Sequence, residues 1–169
     1  MSEPAHLERL EWVRRTLDRH EAELLRYARH LTGDAEAARD VVQETFLRLC
    51  REDRAELDGH LIEWLFTVCR NQALDVKRKE RRMATVTVDA VAEATAQTPG
   101  PESEAEQRDS ADRVLELISQ LPRNQQEVLR LKFQSGLSYR EIAAVTGLSE
   151  TNVGFLIHRG LKTVRERLV

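Results

Sequence analysis

The sequence predicts an all-α protein of two small helical domains joined by a flexible acidic linker, the second domain containing a helix-turn-helix. Three observations predict it. Apolar residues recur every three or four positions through most of the chain, and only seven Gly and four Pro in 169 residues leave little material for the turns of a β fold. One stretch, residues 83–110, breaks that periodicity. Charge also segregates along the chain. Residues 1–82 are nearly neutral at net −1, residues 83–112 hold one Arg against seven acids, and residues 122–169 hold eight Lys and Arg against four acids. An acidic spacer before a basic module is the pattern of a phosphate-binding domain on a tether.

The domain over residues 1–82 reads as three helices. The first covers about Leu7–Leu31, with Leu10, Val13, Leu17, Leu24, Leu25, Ala28 and Leu31 spaced for one face. Gly33 ends it and Asp34 caps the second. Val41, Val42, Thr45, Phe46 and Leu49 form the apolar stripe of that second helix. A polar loop, Arg51–His60, follows. The third helix starts near Leu61, with Leu61, Leu65, Val68, Cys69, Ala73 and Val76 on one side, and ends strongly basic. From Arg70 to Arg82 six basic residues face two acids. Such an end can complement the helix dipole or hold phosphates. With Trp64, Asn71 and Gln72 on the same helix beside the polar loop, it is also a candidate receptor for an unstacked base. Trp64 fits a core role equally well.

Residues 83–110 are rich in Ala, Thr, Glu and Pro, with Thr98-Pro99-Gly100-Pro101 near the centre. That composition buries little, and the stretch is longer than compact domains tolerate as an internal loop. The domain over residues 111–169 then shows four helical stretches. The first carries Val114, Leu115, Leu117, Ile118 and Leu121 and stops at Pro122; the second covers about Arg123–Gln134.

The last two make the helix-turn-helix. Ser138 and Glu141 are spaced as a capping box. Ile142 and small Ala143 face inward, Gly147 takes the left-handed conformation that the tight turn needs, and Leu148 packs beneath it. Ser149 caps the final helix, and Val153 and Leu156 point to the core. Its outer positions are Thr151, Asn152, Phe155, His158, Arg159 and Lys162. Polar groups near the start of such a helix can reach base edges, and cations further along can hold phosphates. An ordinary helical hairpin would not require that charge.

Other classes find little support. No convergent nucleophile, base or metal set emerges at any spacing, so neither catalysis nor a cofactor or metal is expected. Cys50 and Cys69 form no CxxC or Cys/His cluster, lie in apolar-periodic stretches and read as buried thiols. No run approaches the roughly 20 apolar residues that cross a bilayer. The N-terminus lacks a basic-then-apolar signal, and the expected location is the cytoplasm without membrane insertion.

Taken together, the chain resembles the bacterial RNA polymerase sigma factors of the extracytoplasmic-function (ECF) group. The resemblance is carried by Asp40-Val41-Val42-Gln43-Glu44-Thr45-Phe46-Leu47-Arg48-Leu49, by Trp64–Asp75, and by Leu121-Pro122, Tyr139-Arg140-Glu141-Ile142-Ala143 and His158-Arg159, in that order. It implies that residues 1–82 dock on the polymerase clamp and read and melt the −10 element. Docking would fall to Asp40, Gln43, Glu44, an exposed Phe46, and Leu47. Single-stranded −10 DNA would meet Leu57, Asp58, His60, Trp64, Asn71, Asp75 and Arg78. The helix-turn-helix would read duplex −35 DNA through Ser149, Thr151, Asn152, Phe155, His158, Arg159 and Lys162. Implied partners are core RNA polymerase, promoter DNA and an anti-sigma factor, and the linker would thread the polymerase. The chain departs from the family at Gly154-Phe155-Leu156, where many members carry basic residues, and at Arg39, which precedes a single Asp40. Two rivals stand beside this reading. A stand-alone dimeric regulator would bind a palindrome without polymerase. A decoy for an anti-sigma factor would not need a basic recognition helix.

Overall fold

The computed structural model describes the backbone of residues 3–85 and 105–168, with side chains from 5–85 and 110–168. Among these residues there are seven helices and no strand, as the periodicity requires. The chain divides into two compact units, α1–α3 and α4–α7.

In the first unit α1 spans Glu3–Thr32, α2 Ala35–Leu49 and α3 Leu61–Ala84, each packed on the other two. Gly33 breaks the chain at φ 74°, and Asp34 accepts from the Ala37 N–H at 2.9 Å to start α2. The core is Leu24, Tyr27 and Ala28 of α1, Val41, Val42, Phe46 and Leu49 of α2, and Leu65, Phe66, Cys69 and Ala73 of α3. The Tyr27 and Phe66 rings meet at 5.5 Å. The buried hydroxyls of Thr32 and Thr45 donate to the carbonyls of Ala28 and Val41, so neither is left unpaired.

The expected inner face of α1 holds only in its second half. Leu24 and Ala28 are buried, whereas Leu10 is 48% exposed and Leu25 half-buried. Leu10, Val13, Leu17 and Leu25 lie alongside α2 but border open space there, together with Val42, Phe46 and Leu47.

In the second unit α4 spans Ala105–Ser119, α5 Arg123–Phe133, α6 Tyr139–Thr146 and α7 Glu150–Leu168. α7 packs on all three others, and Val128, Leu129, Leu131, Leu137, Ile142, Val145, Val153, Leu156, Ile157 and Val164 fill the core. Within the expected linker, residues 86–104 lie outside the described residues. Helix enters both its ends, α3 reaching Ala84 and α4 starting at Ala105, where Ala, Glu, Gln and Met favour helix.

Candidate functional surfaces

The C-terminal pair is locally specified at every junction. The Ser138 hydroxyl accepts from the Glu141 N–H at 3.2 Å, and the Glu141 carboxylate accepts from the Ser138 N–H at 2.7 Å. Gly147 closes α6 at φ 76°, its N–H donating to the Ala143 carbonyl. The Asn152 N–H donates to the Ser149 hydroxyl at 3.1 Å and starts α7. These bonds fix where α7 begins. Its periodicity then turns Val153, Leu156, Ile157, Gly160 and Val164 inward and leaves Thr151, Asn152, Phe155, His158, Arg159 and Lys162 exposed.

Ser149 is exposed too, but its hydroxyl is already engaged as the cap. Lys162 lies 3.9 Å from Glu166. The Arg159 guanidinium sits 5.5 Å from the centroid of the Phe155 ring. The Gly154-Phe155-Leu156 departure resolves into three roles. Leu156 is core, Phe155 is surface, and Gly154 lies under Tyr139, whose ring would be 3.4 Å from a Cβ placed there. Tyr139 also has the Lys132 ammonium 5.3 Å from its ring centroid.

On the first unit, the loop before α3 is held at its start. The Arg9 guanidinium donates to the Glu52 carbonyl, and the Asp53 carboxylate accepts from the Ala55 N–H at 2.9 Å. Leu57 is only 4% exposed. The expectation that it touches a base is thereby corrected, because its side chain anchors the loop in the core. Asp58 and His60 stay exposed, joined by a 3.2 Å contact from the imidazole to the Asp58 carbonyl. Trp64 is half-buried, between the two roles open to it. Asn71, Asp75 and Arg78 share an exposed face of α3, where Arg78 and Asp75 pair at 3.1 Å.

On α2, Asp40, Gln43 and Leu47 are exposed in one row, Leu47 by 49%, and Glu44 pairs with Arg48 at 3.2 Å. Phe46 is not the exposed anchor expected. It is 6% exposed, because i, i+4 spacing from Val42 turns it toward α1. Its remaining surface lines an apolar groove of about 540 Å³ between α1 and α2, walled also by Leu10, Val13, Leu17, Leu25 and Leu47. Sequence reading had assigned the α1 residues of that wall to the core. Nothing in the periodicity of α1 separates them from its buried residues, so no signal in the sequence marks the groove. Cys50, expected to be buried, is exposed at the end of α2 and also borders the groove. Among the described residues no His, Cys, Asp and Glu converge as a metal site, and no helix is long and apolar enough to cross a membrane.

Residues 16–83 match the family described as Sigma-70 region 2, and residues 111–164 match Sigma-70, region 4. The chain is 34% identical over 161 residues to the ECF RNA polymerase sigma factor SigL of Mycobacterium tuberculosis, covering 90% of this chain and 86% of SigL. The chain belongs to the ECF RNA polymerase sigma factors. SigM of Bacillus subtilis is 28% identical, with 86% of each chain covered. The fold of this sigma factor is similar to RpoE of Bartonella quintana, solved with the anti-sigma factor NepR, at a TM-score of 0.73 and 24% identity over 92% of this chain and 95% of RpoE. It is also similar to CnrH, solved with the cytosolic domain of CnrY, at 0.61 and 26% over 92% and 86%. The protein is thus a transcription initiation factor that directs promoter-specific transcription.

Proposed function

We propose that this sigma factor divides promoter recognition between its two units, within boundaries near 1–82, 83–110 and 111–169. The α7 face of Thr151, Asn152, Phe155, His158, Arg159 and Lys162 reads duplex −35 DNA, with Ser149 setting the start of the reading helix. The observation that carries this is the α7 geometry itself. Caps at Ser138, Gly147 and Ser149 and a buried stripe leave one polar and basic face outward. Base edges are read by the amide and guanidinium groups, and phosphates by Lys162.

Asp58, His60, Trp64, Asn71, Asp75 and Arg78 receive the opened −10 strand. The exposed basic end of α3, with Lys79, Arg81 and Arg82, supports this by supplying positive charge at the far end of the helix that the loop leads into. Asp40, Gln43, Glu44 and Leu47, with the rim of Phe46, dock on core polymerase. An exposed leucine among acid and amide groups suits a helical partner. The relatives RpoE and CnrH are held by NepR and CnrY, and we assign this chain an anti-sigma partner of the same class. The site of action is the cytoplasm, where polymerase and DNA are.

Run-off transcription with purified core polymerase over a genomic promoter library tests the whole reading. The expected result is a set of promoter-selective transcripts from asymmetric sites, none made by core polymerase alone. Absence of selective transcripts overturns it. Tight binding of the free protein to a palindrome would favour the stand-alone regulator instead.

A further inference from the structure

We propose that Phe155 and Arg159 act as one reading unit, in which Phe155 determines specificity by holding the Arg159 guanidinium for a guanine and by taking the methyl group of an adjacent thymine. The inference rests on the assignment of α7 to the −35 element and goes beyond it by naming the base step.

Four observations carry it. First, the first turn of α7 offers no cation. Glu150, Thr151 and Asn152 stand there, and Gly154 is occupied by the Tyr139 ring above it. A positive group for a base edge must therefore come from further along. Second, Arg159 is the first exposed arginine or lysine that α7 offers after that turn. Lys162 is drawn to Glu166, whereas Arg159 has no acidic partner among the described residues. Third, Asn152, Phe155 and Arg159 fall three and four residues apart, which puts them in one row on the exposed face. Fourth, Phe155 is 55% exposed while its neighbours Val153 and Leu156 are buried, so its ring is not needed by the core.

The chemistry of the stack then specifies the ligand. A guanidinium lying over an aromatic face keeps its in-plane N–H groups free along the edge. Those N–H groups match the O6 and N7 acceptors of guanine in the major groove. Holding the long arginine side chain against the ring removes part of the ordering that DNA binding would otherwise require. The ring's remaining surface is apolar and sits one helical turn before Arg159. In the major groove the apolar feature of a base is the thymine methyl. A thymine beside the guanine is therefore the expected neighbour.

The test uses holoenzyme assembled with core polymerase and promoter duplexes randomised over the −35 element, with the −10 element fixed. The wild type should enrich guanine with an adjacent thymine. Arg159→Ala should remove the guanine preference. Phe155→Ala should remove the thymine preference and weaken that for guanine roughly two- to fivefold, the scale of an exposed cation–π contact. Phe155→Tyr should restore both. Replacing the selected thymine by uracil, which lacks only the methyl, should weaken the wild type and leave Phe155→Ala unaffected. The pairing is overturned if Phe155→Ala keeps both preferences, or if uracil weakens both proteins equally. If Arg159→Ala changes nothing or the wild type shows no −35 preference, the assignment of α7 falls with it.

Discussion

Burial against α1 sets the chemistry of Cys69. Its thiol is fully covered, its nearest acceptor is the Leu24 carbonyl at 3.9 Å, and desolvation pushes its pKa from an ordinary 9.0 up to about 12. In the unfolded chain the thiol ionises from about pH 9 upward, while in the folded chain it stays protonated to about 12. The folded state therefore loses stability as pH rises through that window and gains none from this group below it. At pH 8, iodoacetamide should label the exposed Cys50 and leave Cys69 unmodified until denaturant is added; equal labelling of both in the native protein would contradict the packing. Gly160 is a second residue defined by its neighbours. A Cβ there would lie 2.8 Å from a methyl of Leu129, which is itself 1% exposed. Gly160→Val should lower the unfolding free energy by about 1–3 kcal/mol through overpacking, read from denaturant midpoints.

Among the helices, α6 depends most on its ends. It has eight residues, too few to persist alone, so its start relies on the reciprocal bonds between Ser138 and Glu141. Ser138→Ala should lower stability by about 1 kcal/mol, and Ser138→Thr should lower it less. Equal stability of all three proteins in urea melts would show the box to be dispensable. α2 separates two neighbouring residues by a rotation of about 100°, a consequence of 3.6 residues per turn. Phe46 faces the core and Leu47 faces out. Phe46→Ala should therefore cost about 3–5 kcal/mol of stability. Leu47→Ala should leave the melt unchanged within roughly 0.5 kcal/mol and weaken association with core polymerase, by about 1 kcal/mol or more if it is an anchor. Competition binding against the wild type measures the second effect, and unchanged binding by Leu47→Ala would remove this residue from the docking face.

Over the whole molecule, the distribution of charge is more informative than its sum. A net charge of −3 hides a stretch of one Arg against seven acids placed before a basic C-terminal domain. On the proposed division of promoter recognition, the phosphate-binding surfaces lie on either side of that acidic connection, which would itself repel DNA. Charge reversal at Glu102, Glu104 and Glu106 should alter initiation or promoter escape, seen as a changed ratio of abortive to full-length transcripts. An unchanged ratio would leave the acidic connection without a role in initiation. The reversal should leave α1–α3 and α5–α7 intact, since none of the three residues lies in them.

Local chemistry made most of the fold legible before any coordinates. Helix periodicity, the caps at Asp34, Ser138 and Ser149, and the left-handed turns at Gly33 and Gly147 depend on residues within a few positions of one another. Hence the helix count and the outward face of α7 could be read directly. Tertiary structure alone decided which apolar residues find a partner. Phe46 and Leu57 turned inward, Leu10 was left open, and a groove formed between α1 and α2. It also decided that Tyr139 takes the space above Gly154 and that Gly160 is pressed by Leu129. Periodicity names the face of a helix, whereas burial depends on how long the neighbouring helices are and where they cross. Those are properties of residues far apart in the chain.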